Sequence, residues 1–301
     1  MNKINKMLII LGSAKCGTSA LAGHLDKHPD IALIDGKEPR YFTTIHHSAW
    51  TGPAGEGFQN SCIASEADYL AGFAELTPET WALDASTDYI WRSESIELIK
   101  TFAQTAEVKL VCVLRDPLER AISEYNHTLR HGWETLSFGE SLDAEGQRRR
   151  DLFHPLFYHK RRSTILKDVA AYRAAFGDDL LILDYQDVKN GTAAIEKVSA
   201  HIGLSGLSVE TIEKRNVSQI PRSKLAKAIK DSTRIRQIAR RIVPQKLRAR
   251  AWTALHAEAG KVKTVTEAEK AKFVQEMRDE IRACLAHPLI PTDHWTCTKY
   301  L

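Results

Sequence analysis

The feature that most constrains the fold is the stretch from Met7 to Ser19, MLIILGSAKCGTS. A short apolar run leads into a loop of small residues, and Thr18 then opens an amphipathic segment, which predicts a strand, a loop and a helix. The N–H groups at such a helix start converge, and the helix dipole adds partial positive charge, so the loop suits a phosphate or sulfate group. Gly12 and Gly17 allow a tight turn and a close approach of the backbone to that anion.

The spacing of this loop matches the nucleotide phosphate-binding loop, G-x-x-x-x-G-K-[ST], except at its lysine. Gly12, Gly17 and Ser19 fit, but Thr18 stands where that motif has the lysine that reaches the γ-phosphate. Lys15 lies earlier in the loop, nearer the first anionic groups, where it could neutralise a leaving group. The alternative interpretation is a tight turn before a buried helix, with Lys15 merely solvated.

Composition limits the class of protein. The chain has 301 residues, 43% hydrophobic and 27% charged, which fits one large α/β domain or two small ones. Because no apolar run reaches about 18 residues, we expect no transmembrane helix. The five cysteines are odd in number and form no C-x-x-C pair, which favours a reducing, cytoplasmic location and argues against a disulfide framework. Cysteines and histidines show no ligand spacing, so we expect no metal.

A second buried strand is predicted over residues 108–114, and it ends at Arg115. Ligands of parallel α/β sheets bind beyond the carboxyl ends of the strands, where the Lys15 loop and Arg115 would meet. Arg115 and Ser123 could both address one phosphate, the first as a planar fork and the second as a hydroxyl donor. A structural salt bridge from Arg115 to Asp116 or Glu119 is the alternative.

Strands and helices alternate along the chain, which predicts a parallel sheet with helices on both faces. We expect a single domain with an α/β core over residues 7–205 and a helical C-terminal extension over 206–301. The stretch 43–66 has the composition of an irregular surface loop. Residues 214–250 hold 13 Lys or Arg and one acid, so a basic segment, with a helix over 223–242, accompanies an acidic body. Further strands are predicted over 31–34, 81–86 and 180–183, and further helices over 95–105, 165–176, 193–202 and 266–285.

Two motifs resemble those of the sulfotransferases that use 3′-phosphoadenosine 5′-phosphosulfate (PAPS). The first, K-x-G-T-[ST], stands here as Lys15, Cys16, Gly17, Thr18 and Ser19. The second, R-x-P-x-x-R-x-x-S-x-Y, stands here as Arg115, Pro117, Arg120, Ser123 and Tyr125. In that family the first motif binds the 5′-phosphosulfate, and the Arg and Ser of the second bind the 3′-phosphate. The resemblance implies a P-loop-like α/β fold and the same roles for residues 15–19, Arg115 and Ser123.

A third stretch resembles one branch of the family. Residues 37–42, KEPRYF, are similar to the K-E-P-x-[FY]-F segment of heparan-sulfate-like and bacterial carbohydrate sulfotransferases, and residues 84–89, DASTDY, loosely match their E-[KA]-[ST]-P-x-Y segment. The resemblance implies that Glu38 is the general base that takes a proton from an acceptor hydroxyl or amine, while Lys15 stabilises the leaving group. It also suggests Arg162 as part of the nucleotide pocket. The product would be 3′-phosphoadenosine 5′-phosphate, formed without a metal.

The sequence leaves two alternatives to sulfuryl transfer. A P-loop kinase or NTPase would require Mg²⁺ and a lysine before Ser19, where Thr18 stands. A protein that binds nucleic acid or an anionic surface through residues 214–250 is the second alternative, but the periodic apolar residues there suggest a helix packed on the domain. We therefore expect a saccharide or small-molecule acceptor and no nucleic-acid partner. Neither the acceptor nor the oligomeric state is readable from the sequence.

Overall fold

The computed structural model describes residues 3–36, 38–73, 76–205, 219–221, 256–258 and 264–301. These fall into two compact units. The first unit contains residues 1–125, 136–215 and 265–301, and the second contains 126–135 and 216–264. Residues 265–301, predicted above as part of an extension, thus cluster with the α/β core. The basic helix predicted over 223–242 lies outside the described residues, and the single-domain organisation stays a prediction.

A five-stranded parallel sheet forms the centre of the first unit, which confirms the predicted α/β class. Its strands follow the order β2-β3-β1-β4-β5. They are β1 (Lys6–Gly12), β2 (Ile31–Leu33), β3 (Trp81–Asp84), β4 (Glu107–Leu114) and β5 (Leu180–Asp184). Successive side chains of a strand point to opposite faces of the sheet, so a continuous apolar run buries both faces. Leu8 and Ile10 join one core cluster, and the residues that alternate with them, Ile9 and Leu11, are also fully buried.

Helices cover the sheet and follow most of its strands. They are α1 (Thr18–Leu25), α2 (Gly55–Gln59), α3 (Glu66–Ala71), α4 (Glu94–Phe102), α5 (Pro117–Arg130), α6 (Phe138–Arg150), α7 (Leu166–Phe176), α8 (Tyr185–Lys189), α9 (Thr192–Ile202), α10 (Glu267–Glu276) and α11 (Arg278–Leu285). The apolar sides of α1 and α9 pack into the cluster of Leu8 and Ile10. In the second unit, β6 (Gln219–Pro221) pairs antiparallel with β7 (His256–Glu258).

Two predictions about elements differ from the structure, and one helix was not predicted. The stretch 43–66 contains α2 and buries Ile45, Trp50 and Phe58, so it is more ordered than its glycine content indicates. The single helix predicted over 266–285 ends at Glu276 and restarts at Arg278. Helix α6 was not predicted, because its sequence is polar and lacks a clear apolar period. It begins after Ser137, whose hydroxyl accepts a hydrogen bond from the Glu140 N–H in a capping box.

Candidate active site

The loop between β1 and α1 has a backbone that only glycine accommodates at two points. Gly12 has φ of 148°, and a Cβ there would lie 2.7 Å from the Cγ2 atom of Ile90. Gly17 has φ of 79°, and its Cβ would lie 2.9 Å from the Cγ1 atom of Val188. The predicted need for both glycines is therefore confirmed, and it arises from neighbouring side chains as well as from the turn.

Hydrogen-bond donors converge at the start of α1. Within the described ranges, the N–H groups of Gly17, Thr18 and Ser19 donate to no protein acceptor. The hydroxyl of Ser13, which is 3% exposed, also lacks a protein partner in that part of the chain. Buried donors are nearly always satisfied in folded proteins. A set of open donors at a helix N-terminus is the arrangement that receives an anion.

Cys16 differs from its neighbours in the loop. Its N–H donates to the Ser13 carbonyl at 3.3 Å, and its side chain belongs to the apolar core cluster. Burial raises the pKa of the thiol to about 11, although the nearby charges of Arg120 and Arg115 oppose that rise. Cys16 is therefore a neutral packing residue that fixes the loop, and the open donors lie on either side of it.

Arg115 reaches the same loop from the end of β4. Its Nη1 atom donates to the Lys15 carbonyl at 3.1 Å, and its guanidinium lies 4.4 Å from the centre of the Tyr185 ring. It also pairs with Glu119 at 2.8 Å, the salt bridge considered as the alternative. Glu119 is 44% exposed, so this pair contributes little to stability, about 1 kcal/mol or less. Ser123 lies further along α5 and is half-buried.

Glu38 lies in a tight loop built around Arg40. Both residues adopt left-handed backbone conformations, with φ of 59° and 52°. Arg40 donates to the Glu38 carboxylate through Nη2 and to the Glu38 carbonyl through Nη1, the latter at 2.9 Å. The hydroxyl of Thr87 lies 3.4 Å from the other carboxylate oxygen of Glu38. The Glu38 side chain is held by these contacts, and because it is 15% exposed it remains accessible from solvent.

The end of β3 holds this loop in position. Asp84 is fully buried and accepts hydrogen bonds from the hydroxyls of Tyr69, Ser86 and Tyr89 at 2.7 to 3.0 Å. Burial raises the pKa of Asp84 to about 6, and the three hydroxyl donors oppose that rise. Ser86 in turn accepts from the Arg40 N–H at 3.0 Å. Asp84, noted from the sequence as part of a motif, is therefore a structural anchor for the Glu38 loop.

A buried network of alternating charges extends from Glu38 to helix α5. Arg40 bonds Asp88 at 2.7 Å, and Asp88 lies 3.3 Å from Arg162. Arg162 bonds Glu124 at 2.9 Å, and Glu124 also pairs with Arg120 and with His159. The members of this buried charge network are Glu38, Arg40, Asp88, Arg162, Glu124 and Arg120.

Charge pairing governs the protonation of this network. Burial alone would raise the pKa of Asp88, but Arg162 and Arg40 outweigh it and hold the pKa at about 2. Burial of Glu124 is likewise outweighed by Arg120 and Arg162, which hold its pKa far below the usual range. Both carboxylates are therefore ionised at neutral pH.

The roles of Arg40, Asp88 and Glu124 were not predicted from the sequence, and Arg162 was predicted to be part of the nucleotide pocket. In the structure Arg162 is 6% exposed, between Asp88 and Glu124. Two sequence signals could have indicated the network. Arg120 and Glu124 have the i, i+4 spacing of a helical ion pair, and charged residues occupy the variable positions of the KEPRYF and DASTDY segments.

Two further observations concern the described ranges alone. No group of three or more His, Cys, Asp and Glu side chains there is arranged to hold a metal ion. No helix among the described elements is both long and apolar enough to cross a membrane.

Comparisons with known proteins agree with this geometry. The model of the sulfotransferase domain family matches residues 5–244. Heparan sulfate glucosamine 3-O-sulfotransferase 3B1 of Mus musculus is 32% identical over 138 residues, which are 44% of this chain and 29% of the relative. The membrane-associated sulfotransferase kil1 of Dictyostelium discoideum is 28% identical over 122 residues, 40% of this chain and 23% of the relative. The match thus spans under a third of the length of either curated relative.

A solved structure extends the likeness over most of the chain. The crystal structure of a sulfotransferase from Alicyclobacillus acidocaldarius superposes with a TM-score of 0.64 and 28% identity. The superposition covers 84% of this chain and 99% of that protein. Because the family model matches well over half of the residues, including the Lys15 loop, the Glu38 loop and the Arg115 helix, this chain belongs to the sulfotransferase family.

Proposed function

We propose that this protein transfers a sulfuryl group from PAPS to a hydroxyl or amine of an acceptor. The observation that carries the proposal is the set of open N–H donors at residues 17–19, next to Lys15 and bridged to Arg115 through the Lys15 carbonyl. Family membership supports the same activity. A P-loop kinase is disfavoured because Thr18 stands where such an enzyme needs its lysine.

The residues of the loop fit the sulfated end of the donor. Gly12 and Gly17 keep the backbone clear of side-chain atoms, and the open N–H groups supply donors without a competing carboxylate in the loop itself. Lys15 adds a full positive charge beside them. We assign the 5′-phosphosulfate to Lys15, Gly17, Thr18 and Ser19, with Cys16 fixing the loop through its packing.

The 3′-phosphate is assigned to Arg115 and Ser123. Arg115 already bonds Glu119, a half-exposed partner that a phosphate can replace with a stronger charge-assisted bond. The buried Arg162 does not have to contact the nucleotide to serve the site. We propose instead that Arg162 holds Glu124, which neighbours Ser123 on α5.

Glu38 acts as the general base. When bound, the donor supplies an activated sulfuryl group. Glu38 accepts the proton of the acceptor hydroxyl as the new bond from the acceptor oxygen to sulfur forms. Lys15 and the N–H groups of the loop stabilise the charge that develops on the leaving phosphate oxygen as its bond to sulfur breaks. Positioning and electrostatics account for the rate, as in phosphoryl transfer.

The acceptor is proposed to be a carbohydrate or glycoconjugate. This rests on the Glu38 segment and on the matched relatives, whose names include heparan sulfate glucosamine 3-O-sulfotransferases. We extend to the chain no particular sugar and no sulfated position. A cytoplasmic location is likewise a proposal, and it rests on five cysteines that are all free thiols.

Transfer of label tests the activity directly. Purified protein is incubated in EDTA with ³⁵S-labelled PAPS and a panel of desulfated polysaccharides, simple glycosides and amines. We expect labelled product from at least one saccharide, and a loss of about 100-fold or more in Glu38→Gln, the scale of a missing general base. Glu56→Gln, which changes an exposed carboxylate, is the matched control and should keep the wild-type rate. Transfer to none of these acceptors, together with Mg²⁺-dependent cleavage of ATP, would contradict the proposal.

A further inference from the structure

Arg40 has more polar contacts than any other side chain around Glu38. It is 9% exposed, and its Nε atom donates to Asp88 at 2.7 Å. Its Nη1 atom donates at 2.9 Å both to the Glu38 carbonyl and to the hydroxyl of Ser61, while Nη2 donates to the Glu38 carboxylate. The ring of Phe58 covers the guanidinium at 4.8 Å. The planar group therefore has one orientation, fixed from several sides.

Asp88 can fix the position of Arg40 because two other side chains hold Asp88 in place. Its other carboxylate oxygen lies 3.3 Å from Arg162 and accepts from the indole N–H of Trp91 at 3.0 Å. Asp88 is 3% exposed, so loss of these partners would leave a buried charge unpaired at a high cost in free energy. Asp88 lies in the turn that follows β3, so its ion pair with Arg40 fixes Arg40 relative to the sheet.

The backbone of the loop is constrained in the same place. Glu38 and Arg40 both have positive φ, which residues with a Cβ rarely adopt. Two hydrogen bonds hold the strained segment, from the Arg40 N–H to Ser86 and from the Ile63 N–H to the Pro39 carbonyl. Strained conformations that the surroundings over-determine are typical of functional sites.

We propose that Arg40, clamped by Asp88, is the positioning residue that sets the orientation of the Glu38 carboxylate for proton uptake. This inference rests on the proposed role of Glu38 as the base. Arg40 donates to the Oε2 atom of Glu38, and a proton on that oxygen would face a guanidinium donor. The proton is therefore taken up by Oε1, because its neighbour there is the Thr87 hydroxyl, which can turn from donating to accepting, as a guanidinium cannot. In this role Arg40 acts through Glu38 and does not have to contact the donor or the acceptor.

A double-mutant cycle tests this dependence. The rate of sulfuryl transfer at saturating PAPS is measured for the wild type, Arg40→Ala, Glu38→Gln and the double variant, together with the affinity for 3′-phosphoadenosine 5′-phosphate. We expect Arg40→Ala to lower kcat about 100-fold in the wild-type background, with nucleotide affinity within threefold. In the Glu38→Gln background the same change should cost less than threefold, because the group through which Arg40 acts is gone.

Two further variants keep the result interpretable if Arg40→Ala folds poorly. Arg40→Lys retains a charge near Asp88 but cannot span both carboxylates, so we expect a loss of about tenfold in kcat that is likewise absent in the Glu38→Gln background. Arg92→Ala removes another half-buried arginine, which pairs with Glu94 rather than with Glu38, and should leave kcat unchanged. Added guanidinium chloride should restore part of the rate to Arg40→Ala and none to Glu38→Gln.

The outcomes separate the two claims. Equal losses from the Arg40 variants in both backgrounds would overturn the positioning role and leave Glu38 as the base. A Glu38→Gln enzyme with the wild-type rate would overturn both the base assignment and the inference that depends on it. Loss of rate in Arg40→Ala only through loss of nucleotide affinity would also overturn the inference.

Discussion

The loop of residues 13–19 and the buried charge network differ in whether their polar groups are paired within the protein. In the loop, the N–H groups of residues 17–19 find no acceptor among the described residues. In the network, Asp88 and Glu124 each meet two arginines at 2.7 to 3.3 Å. The loop can therefore bind an anion from a ligand, whereas the charges of the network already neutralise one another.

This contrast separates the binding of a ligand from the frame that supports it. An open loop can lose a side chain without leaving an unpaired charge inside the protein. A closed network cannot, because removal of one partner leaves the others buried and uncompensated. Substitutions of groups that face the anion in the loop should therefore change ligand affinity first, and substitutions of the buried carboxylates Asp88 and Glu124 should change stability first.

The largest expected effect lies at the end of the network on α5. Glu124→Gln removes the charge that compensates Arg120 and Arg162, which are 2% and 6% exposed. We expect a loss of about 3–5 kcal/mol in the free energy of unfolding, measured by urea denaturation. The control Glu119→Gln, earlier on the same helix and 44% exposed, should change it by about 0.5 kcal/mol or less. Similar values for the two variants would remove the distinction between network and surface pair.

Asp84 provides a pH-dependent test of the frame. Its folded-state pKa of about 6 lies above the ordinary value of 3.8, so the folded protein binds this proton more tightly than the unfolded chain. The contribution of Asp84 to stability is therefore greatest at low pH and declines as the pH rises from about 4 to about 6. Relative to Asp84→Asn, the wild type should lose at most about 3 kcal/mol across that window.

The check is a pair of thermal or urea unfolding series between pH 4 and 7, roughly the range in which such a carboxyl titrates. Asp178→Asn, which changes an exposed carboxylate, is the control and should follow the wild type. A wild type that gains stability relative to Asp84→Asn as the pH rises would contradict the assignment of Asp84 as a buried anchor.

Two glycines with positive φ, one inside the anion-binding loop and one outside it, test the role of that loop. Gly17→Ala meets positive φ and a contact of 2.9 Å with Val188, whereas Gly36→Ala meets positive φ of 81° with no atom within 4 Å. We expect Gly36→Ala to cost about 1 kcal/mol in stability from strain alone, and Gly17→Ala to cost about 1 kcal/mol more. Only Gly17→Ala should also weaken nucleotide binding, measured by calorimetry. Equal effects of both on binding would indicate that the loop is not the ligand site.

The smallest expected effect concerns the partner of Arg115. Glu119 pairs with Arg115 and would compete with a phosphate for the same guanidinium. Because the pair is half-exposed, Glu119→Gln should raise the affinity for 3′-phosphoadenosine 5′-phosphate only modestly, by about two- to fivefold. A lower affinity in this variant would show that Glu119 orients Arg115 instead of competing for it.

Local patterns predicted the loop and its neighbours well. The run from Met7 into Gly12 and the small residues after it predicted β1, the turn and α1, and all three are present. The apolar segment that ends at Arg115 likewise predicted β4. These predictions succeed because strand burial and helix starts depend on residues close together in the sequence.

The network could not be predicted in this way. Arg40 and Asp88 are 48 residues apart, and Arg162 and Glu124 are 38 apart, so their pairing depends on which strand ends the sheet brings together. A solvated arginine and a buried one have the same local signature in sequence. Arg162 was predicted to be part of the nucleotide pocket from the resemblance to the family, and its burial between two carboxylates became apparent only in the fold.

Calorimetric titration with 3′-phosphoadenosine 5′-phosphate in EDTA tests the central claim most directly. We expect tight binding to the wild type and a loss of about 10- to 100-fold in Arg115→Ala, the scale of a charge-assisted hydrogen bond to phosphate. Arg92→Ala, which lies in a separate ion pair, should bind as the wild type does. No binding of this nucleotide, or binding of ATP with Mg²⁺ in its place, would contradict the assignment of the open loop and Arg115 to a sulfuryl donor.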